Sequence, residues 1–438
     1  MKVFKFGGTS VGSPENMRSV MEIITDGEPK IVVLSAMSGT TNALVEISTQ
    51  LLAGKKENAK SLLTSLKSKY DDVVETLYQT NEFKIKGQEV VEQHFATLNE
   101  QIDGEFSSVK EQIILAQGEL ISTAFVTYLL LENGIKAALL PALDFMRIDE
   151  NKQANLPAIK ELVRPVLASA GQQDIYITQG FICRNSDNEI DNLQRGGSDY
   201  TASLLGAAIN SEEIQIWTDI DGIHNNDPRF VDKTTRIDSL LFSEAAELAY
   251  FGAKILHPLT VLPAKEANIP VRLKYTMDPS APGTLISNNK TISGLKAVAA
   301  KDDIIAIKIR SGRMLMAYGF LRRVFEVFEN YKTSIDMITT SEVAISLTID
   351  NDKHLDSILD ELKQIGEVEV DKQQTIVCVV GDMISEEKVF SKQVFEALEG
   401  IPVRMISYGG SRYNLSILID NKYKRETLQK LNDHIFNN

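Results

Sequence analysis

The sequence predicts an α/β fold in which a mostly parallel central sheet is covered by helices and is followed by two smaller α+β domains. Two observations support this. Short apolar segments alternate with helical patterns through the first two-thirds of the chain. After residue 290, a pattern of about seventy residues occurs twice.

The first part of the chain contains short apolar runs that are typical of buried strands. Segments with helical periodicity separate them, and this alternation favours a parallel sheet with helices on both faces. One stretch, residues 54–112, is instead rich in Lys, Glu and Gln at helical spacing, and it predicts an all-helical insertion. The predicted strands are residues 2–6, 30–35, 135–140, 174–178 and 214–218.

The second part begins after the polar sequence SNNKTISG, which is typical of a linker. Each copy of the repeat reads β-α-β-β-α, close to the ferredoxin-like arrangement, and its strands alternate apolar and polar residues. Neither copy carries a nucleophile with a neighbouring base, so both are predicted to be binding modules. The first copy has strands at 304–311 and 343–350 with a helix at 324–331, and the second has strands at 375–382 and 414–420 with a helix at 394–400.

Composition excludes several classes of protein. The chain has 438 residues, 43% apolar residues and a net charge of −14. An acidic chain without a basic block argues against nucleic acid as a partner. Its two cysteines and five scattered histidines give no disulfide framework and no structural metal site. No signal peptide or membrane span is predicted, so we expect a cytoplasmic protein without a membrane partner.

The first motif with chemical meaning is KFGGTS. Lys5 lies between two phenylalanines in a predicted strand, and Gly7 and Gly8 can bring backbone N–H groups close to an anion. A helix is predicted to follow, with Ser13 as N-cap and Pro14 at its first position. The alternative is a glycine turn with a lysine that extends from a strand end to solvent. The P-loop pattern GxxxxGK[ST] is absent from the sequence.

Two further polar segments are weak signals when taken alone. The loop of residues 34–42, LSAMSGTTN, follows a predicted strand at the sheet edge where α/β folds bind ligands. Taken alone, the pattern favours an ordinary loop with a polar helix cap. Glu119 in QGELIST is predicted at the head of an apolar helix, where a carboxylate is commonly a dipole partner.

The segment LQRGGSDYTA is a stronger signal. Arg195, two glycines, Ser198 and Asp199 precede a long apolar helix. Asp199 could be a helix cap, but a cap does not account for the arginine and both glycines. Phosphoryl transfer needs donors for the moving negative charge and a carboxylate that positions groups or metal.

Two later segments fit a nucleotide, although acid-rich turns are also common in plain loops and Lys254 could be a solvated surface lysine. In TDIDGIHNNDPR, Thr218 and Asp219 suit ribose or metal contacts, and Arg229 suits phosphate. In GAKILHP, Lys254 is a second candidate for phosphate.

Taken in order, KFGGTSV, SAMSGTTN, GELIST, RGGSDYTA, TDIDGI, DPR and GAKILHP resemble aspartokinase, of the amino-acid kinase superfamily. The downstream sequences GFLRRVFEVF and SIDMITTSEV extend the resemblance over nearly the whole chain. The resemblance implies an amino-acid kinase α/β sandwich followed by two ACT domains, the first inserted within the second. The implied boundaries are residues 1–288 for the kinase domain, 304–373 for the first ACT domain, and 296–303 plus 374–438 for the second.

The resemblance also implies a reaction and a role for each matching residue. ATP with Mg²⁺ would phosphorylate L-aspartate to 4-phospho-L-aspartate, with the magnesium held mainly by the ATP phosphates rather than by the protein. The implied catalytic residues are Lys5, Asp199 and Lys254, and the implied aspartate-binding residues are Thr41, Glu119, Arg195 and Ser198. The implied ATP-binding residues are Lys5, Gly7, Gly8, Thr9, Thr218, Asp219, His224, Arg229, Lys254 and Ile255.

Feedback inhibition by lysine is implied by similarity to the lysine-sensitive group, with threonine as the rival effector. Two departures matter: His224 stands where the family often has tyrosine, and Ala317-Tyr318 stands where lysine-regulated members carry Ser-Arg. The implied effector-binding residues are Met314, Ala317, Gly319, Phe320, Leu321, Asp336 and Thr340.

Two alternatives stay open at the level of sequence. A kinase for another carboxylate substrate would share these motifs. A catalytically inactive amino-acid sensor should have lost Lys5, Arg195 or Asp199, and all three are present. ACT modules usually pair through a strand edge or an apolar face, so we expect a homodimer or a dimer of dimers.

Overall fold

A computed structural model describes residues 1–193, 196–252, 258–289, 294–311, 318–383 and 390–436. The chain divides into two compact units. The first comprises residues 1–223 and 256–289, and the second comprises residues 224–255 and 290–438.

The first unit is built on a mostly parallel sheet. Its strands lie in the order β3-β4-β2-β1-β7-β9-β10, and each pair is parallel except β9 with β10. A short antiparallel hairpin, β5–β6, stands apart from this sheet. The strands are β1 (Lys2–Phe6), β2 (Lys30–Leu34), β3 (Ala137–Leu140), β4 (Ile175–Gln179), β5 (Ile182–Arg184), β6 (Ile190–Asn192), β7 (Ile214–Thr218), β9 (Val271–Tyr275) and β10 (Thr284–Ser287).

Helices separate the strands, as the alternation of patterns predicted. All residues of β2 and β4 are buried, which is the pattern of strands covered on both faces. The first-unit helices are α1 (Pro14–Ile24), α2 (Thr40–Leu52), α3 (Lys56–Leu77), α4 (Asn81–Ile102), α5 (Ser108–Glu132), α6 (Ala142–Phe145), α7 (Leu156–Ala170), α8 (Gly197–Ile209) and α10 (Leu262–Glu266), with a 3-10 turn at Pro258–Thr260.

The start of α1 follows the sequence prediction. Ser13 is the N-cap, its hydroxyl accepts from the Asn16 N–H at 3.3 Å, and Pro14 opens the helix. Capping orients α1 directly after the glycine-rich turn that ends β1.

The helical insertion is confirmed as a pair of long antiparallel helices, α3 and α4, but its predicted end at residue 112 falls inside α5. The reason is that α5 is one unbroken helix from Ser108 to Glu132, which packs against α4 and carries apolar residues around its circumference. By length and hydropathy, α5 alone among the described helices could span a membrane, although 78% of its most apolar window is buried within the protein. That burial is typical of a core helix, so the length and hydropathy of α5 do not contradict the expectation that no segment spans a membrane.

The second unit carries an antiparallel sheet in the order β12-β13-β11-β14-β16-β15, with helices packed against it. The strands of this sheet are β11 (Leu295–Arg310), β12 (Ile338–Thr340), β13 (Ala344–Ile349), β14 (Glu367–Gly381), β15 (Val403–Tyr408) and β16 (Asn414–Asp420). The short strand β8 (Ser239–Leu241) also belongs to the second unit but lies outside this sheet. Its helices are α9 (Phe242–Tyr250), α11 (Phe320–Asn330), α12 (Leu355–Lys363), α13 (Phe390–Ala397) and α14 (Lys424–Ile435), with a 3-10 turn at Asn421–Tyr423.

The two sequence repeats share two long strands. The first half of β11 pairs with the second half of β14, and register shifts between Lys301 and Ala306 separate this pairing from the next. The predicted strand at 304–311 is therefore the second half of one longer strand that begins at Leu295. The boundaries of the two ACT domains that the resemblance implies remain predictions.

Candidate active site

The candidate site lies at the carboxyl edge of the first-unit sheet. Strands β1, β2, β4 and β7 end level with one another, because Phe6 pairs with both Leu34 and Trp217, and Leu34 pairs with Gln179. The residues directly after β1 and β7 include the predicted site residues Gly7, Gly8, Thr9 and Asp219, and Lys5 and Thr218 lie within the last two positions of these two strands. In an open parallel sheet this edge is where ligands bind.

Lys5 and Asp199 form an ion pair at this edge. The Lys5 Nζ lies 2.8 Å from the Asp199 Oδ1, and the two side chains are 13% and 20% exposed. Lys5 is placed by β1, and Asp199 is placed by the first turn of α8. The lysine is thus a partly open positive charge held in place by a carboxylate.

Of the two glycines beside Lys5, Gly8 is needed for close approach, whereas a side chain at Gly7 would stand in ordinary contact with the lysine. A Cβ at Gly7 would lie 3.5 Å from the Lys5 Nζ, and a Cβ at Gly8 would lie 2.8 Å from the Ala36 carbonyl oxygen. The Ser38 N–H donates to the Gly8 carbonyl at 3.0 Å, which joins the first two strand-end loops. Thr9 follows as an exposed residue. This arrangement leaves backbone and ammonium groups side by side, as an anion would require.

Ser198 lies against the same loops. The Ser35 hydroxyl donates to the Ser198 hydroxyl at 2.9 Å. A side chain at Gly180 would overlap Ser198, because a Cβ there would lie 2.4 Å from its oxygen. The start of α8 therefore packs directly onto the ends of β2 and β4.

The prediction that Glu119 heads a helix is wrong, since it lies in the interior of α5. Gly118 does not interrupt the helix. It lets α5 approach the loop after β2 so closely that a Cβ would lie 2.8 Å from the Ala36 Cβ and 3.1 Å from the Thr40 Cγ2. This close approach brings Glu119 to the candidate site.

The Glu119 carboxyl is buried and only partly satisfied. Its Oε2 has no hydrogen-bond partner, while the Ala36 N–H donates to the carboxylate. Burial raises the pKa of Glu119 to about 7. A buried carboxylate with a free acceptor can receive the ammonium group of a ligand, which would restore its charged form.

The remaining first-unit candidates are more exposed. Thr41 is exposed in the first turn of α2, which begins after Gly39 in the left-handed region at φ 81°. The Thr218 hydroxyl donates to the Asp219 carboxylate at 3.1 Å, just beyond β7. Of these three residues, Asp219 lies in a strand-end loop as predicted, whereas Thr41 lies on α2 and Thr218 is the last residue of β7.

His224 and Arg229 belong to the second unit. His224 Nδ1 lies 2.9 Å from the Thr234 hydroxyl. The Arg229 side chain is 78% exposed and makes a bidentate ion pair with Asp227, with Nε–Oδ1 at 2.9 Å and Nη2–Oδ2 at 2.7 Å. A phosphate at Arg229 would compete with this carboxylate.

The predicted effector residue Asp336 is the centre of a charged cluster in the second unit. Its Oδ1 receives the Lys301 ammonium at 2.8 Å and the Tyr250 hydroxyl at 2.9 Å. Lys301 also lies 2.9 Å from the Asp350 carboxylate. The Oδ2 of Asp336 is buried without a partner, and burial raises the pKa of this carboxyl.

The other described effector candidates surround the start of α11 and an edge strand. Gly319 is the left-handed N-cap of α11, Phe320 is buried, and Leu321 is exposed. Thr340 ends the edge strand β12 and is exposed. The predicted residues Arg195, Lys254, Ile255, Met314 and Ala317 lie outside the described residues.

Some residues that contact the candidate site are missed by sequence reasoning. Tyr70, on α3, lies 2.9 Å from the Thr40 hydroxyl, and the Ser122 hydroxyl donates to the Ser35 carbonyl at 2.8 Å. Tyr70 sits among the apolar residues at helical spacing in the insertion, a pattern that indicates only a core position. Nothing in the sequence links it to a loop thirty residues earlier.

Comparisons with known proteins agree with this architecture. The model of the Amino acid kinase family matches residues 1–275, and an ACT domain model matches residues 377–435. Lysine-sensitive aspartokinase 3 of Escherichia coli is 34% identical over 447 residues, covering 99% of this chain and 99% of the relative.

Two solved structures of E. coli aspartokinase III are similar over the full chain. The complex with lysine and aspartate, in the T-state, has a TM-score of 0.82 at 35% identity and covers 100% of this chain and 99% of its own. The complex with aspartate and ADP, in the R-state, has a TM-score of 0.82 at 34% identity and covers 100% of both chains. With the kinase sheet, the ACT-type sheet and these full-length matches together, this chain belongs to the aspartokinase family of enzymes.

Proposed function

We propose that this chain transfers the γ-phosphoryl group of ATP to the β-carboxylate of L-aspartate, giving 4-phospho-L-aspartate and ADP. The observation that carries the proposal is the Lys5–Asp199 pair at 2.8 Å, beside glycines at the carboxyl edge of the sheet. The E. coli relative that binds aspartate and ADP supports the choice of substrates.

The reaction needs charge neutralisation more than proton transfer. The β-carboxylate of aspartate is already a nucleophile at neutral pH, so no strong base is required. Lys5 would stabilise the transferring phosphoryl group, with Gly7, Gly8 and Thr9 as its backbone cradle and Asp199 as the group that orients the lysine. Lys254 would add a second positive charge.

The acceptor would be held by its own charged groups. Glu119 would bind the ammonium group with its unpartnered Oε2, and Arg195 would bind the α-carboxylate in a bidentate manner. Ser198 and Thr41 would make further contacts. An acceptor that lacks an ammonium group would leave Glu119 buried and unpaired, which disfavours N-acylated substrates.

The nucleotide would bind through Thr218, Asp219, His224, Arg229 and Ile255 together with Lys5 and Lys254. Magnesium enters as the ion carried by the ATP phosphates, where it neutralises charge on the transferring group. Among the described residues, no group of three or more His, Cys, Asp or Glu side chains is placed to hold an ion.

Assays with several acceptors test the substrate directly. ADP release with magnesium and ATP is measured over aspartate, glutamate and N-acetylglutamate, and hydroxylamine is added to trap an acyl phosphate as its hydroxamate. Aspartate should give both ADP and hydroxamate. Absence of turnover with aspartate would overturn the proposal, and turnover with another carboxylate alone would identify a different kinase of this superfamily.

Lysine is the proposed effector, bound by the first ACT domain at Asp336 and Thr340. The observation behind this is the buried, unpartnered Oδ2 of Asp336, which can accept from an ammonium group. The E. coli relative is lysine-sensitive and is known in complex with lysine. Activity is titrated with lysine, threonine and methionine, and inhibition by threonine but not lysine would contradict this assignment.

The proposed assembly is a homodimer or a dimer of dimers formed through the ACT domains, in the cytoplasm. Large exposed apolar side chains on α11, Leu321 and Phe325, and the outer strands β12 and β15 offer surfaces for pairing. Sedimentation at working concentration tests this, and a monomer would refute it.

A further inference from the structure

Two consecutive residues of the helical insertion hold the loop after β2. On α3, the Lys69 ammonium donates to the Ser38 carbonyl at 2.9 Å. The next residue, Tyr70, has its hydroxyl 2.9 Å from the Thr40 hydroxyl. The two hydrogen bonds therefore hold the residues on either side of Gly39.

The loop has little support of its own at this point. Gly39 is left-handed at φ 81° and is the N-cap of α2, but no side chain caps the helix there. Lys69 supplies a positive charge beside this turn, since a Cβ at Gly39 would lie 3.9 Å from its Nζ. As a donor, Lys69 cannot replace the missing N-cap acceptor, so the insertion supports this turn through its bond to the Ser38 carbonyl.

Aromatic packing fixes the position of the Tyr70 hydroxyl. Tyr70 is fully buried, and its ring meets Phe95 at 5.8 Å and Phe125 at 6.0 Å edge-to-face. Burial raises the pKa of Tyr70, so the hydroxyl keeps its proton and its hydrogen bond to Thr40.

Thr40 packs between α3, which carries Tyr70, and α5, which carries Gly118. Tyr70 contacts its hydroxyl, and on another side a Cβ at Gly118 would lie 3.1 Å from the Thr40 Cγ2. The next residue after Thr40 is Thr41, and the next after Gly118 is Glu119, which are both candidate acceptor contacts. A shift of Thr40 would therefore change the distance between the two sides of the acceptor site.

We propose that Tyr70 and Lys69 are positioning residues of the acceptor site, through which the helical insertion sets the affinity for the amino-acid acceptor but not for the nucleotide. Neither residue is assigned a contact with substrate. The inference rests on the proposed function, since it takes Thr41 and Glu119 as acceptor-binding residues.

The first test is Tyr70→Phe, with Tyr78→Phe as the matched control. Tyr78 is equally buried in the same bundle, but its hydroxyl donates to the Phe125 carbonyl at 3.0 Å, away from the loop. Tyr70→Phe should raise the KM for aspartate about three- to tenfold, as the loss of one positioning hydrogen bond allows, while kcat and the KM for ATP stay within about twofold. Tyr78→Phe should leave all three values within about twofold.

The second test is Lys69→Met, with Lys110→Met as the control. Lys110 donates to the Asp103 carbonyl, directly before Gly104, which is left-handed at φ 79°. This repeats the local geometry of Lys69 at a turn that has no link to the candidate site. Lys69→Met should raise the KM for aspartate selectively, whereas Lys110→Met should not.

Wild-type turnover with aspartate is measured first, so that the two proposals fail separately. A wild type that does not use aspartate overturns the proposed function. If the wild type does use aspartate, and Tyr70→Phe and Lys69→Met behave like their controls, the positioning role is overturned. An equal rise in the KM values for aspartate and ATP would also overturn it, because general loosening predicts that result.

Discussion

Two lysine–carboxylate pairs of equal length differ in their surroundings. Lys5 and Asp199 in the first unit, and Lys301 and Asp336 in the second, are each 2.8 Å apart. Lys5 is flanked by glycine backbone. The two lysine side chains are similarly exposed, at 13% and 19%, but the Asp199 side chain is 20% exposed and that of Asp336 only 1%. Lys301 instead contacts a second carboxylate, Asp350, and lies 4.8 Å from the centre of the Tyr250 ring.

The comparison indicates what allows an anion to approach one lysine ammonium group and not the other. Lys301 shares its charge between two carboxylates, and the Asp336 side chain is only 1% exposed, so the pair is tied into the fold. Lys5 has an open side on which an anion can approach without a Cβ in the way. We therefore expect removal of Lys5 to affect turnover and removal of Lys301 to affect stability.

The largest expected effect is that of Lys5→Ala on turnover. Loss of one charge stabiliser should reduce kcat by about a hundredfold or more, with little change in the unfolding midpoint. Lys2→Ala is the matched control, since Lys2 lies on the same strand and pairs with Glu28 at the surface. A loss of less than about tenfold for Lys5→Ala would remove this lysine from the mechanism.

The second prediction concerns Lys301→Met and the free energy of unfolding. Asp336 would keep only the Tyr250 hydroxyl, and stability should fall by up to about 3 kcal/mol, the lower end for breaking a buried ion pair. Turnover of the folded variant should change less than about twofold. Lys363→Met, at an exposed pair with Asp360, is the control and should cost less than about 1 kcal/mol. Chemical denaturation measures both, and equal losses would contradict the contrast.

The third prediction follows from the pKa of Glu119, which burial raises to about 7. Only the ionised carboxylate can pair with the ammonium group of aspartate, so binding should weaken as the pH falls below that value. The KM for aspartate should rise about tenfold per pH unit below it, because each unit lowers the ionised fraction about tenfold.

Two variants test whether Glu119 is the group whose titration changes the KM for aspartate. Glu119→Gln should have a raised KM for aspartate that no longer depends on pH in this range. Glu111→Gln changes a carboxylate in the first turn of the same helix and should keep the wild-type profile. A pH-dependent KM in Glu119→Gln would assign the titration to another residue.

The smallest expected effect is that of Tyr250→Phe. Asp336 would lose one neutral donor but keep Lys301, so the free energy of unfolding should fall by about 1 kcal/mol. Tyr331→Phe removes a comparable hydroxyl that contacts Glu361 on a neighbouring helix, and it serves as the control for losing a tyrosine hydroxyl. A loss for Tyr250→Phe as large as that for Lys301→Met would show that the cluster depends on the hydroxyl rather than on the charge.

Much of the fold could be predicted because local patterns and tertiary packing agree. Strand β1 and the N-cap of α1 are where the apolar run and the Ser-Pro pair put them. Glu119 could not be placed, since a glycine before it is compatible with either a helix start or a helix interior. Only the packing of α5 against the loop after β2 decides between these.

The sequence by itself determined the parallel sheet, the helical insertion, the repeated antiparallel module and the ordered motifs of the family. These follow from periodicity and from residue types that are local properties of the chain. The tertiary structure alone decided which lysine has an open side, that Glu119 is buried with a free oxygen, and that Lys69 and Tyr70 hold the loop after β2. Such features depend on residues far apart in sequence, and their positions are fixed by packing rather than by local pattern.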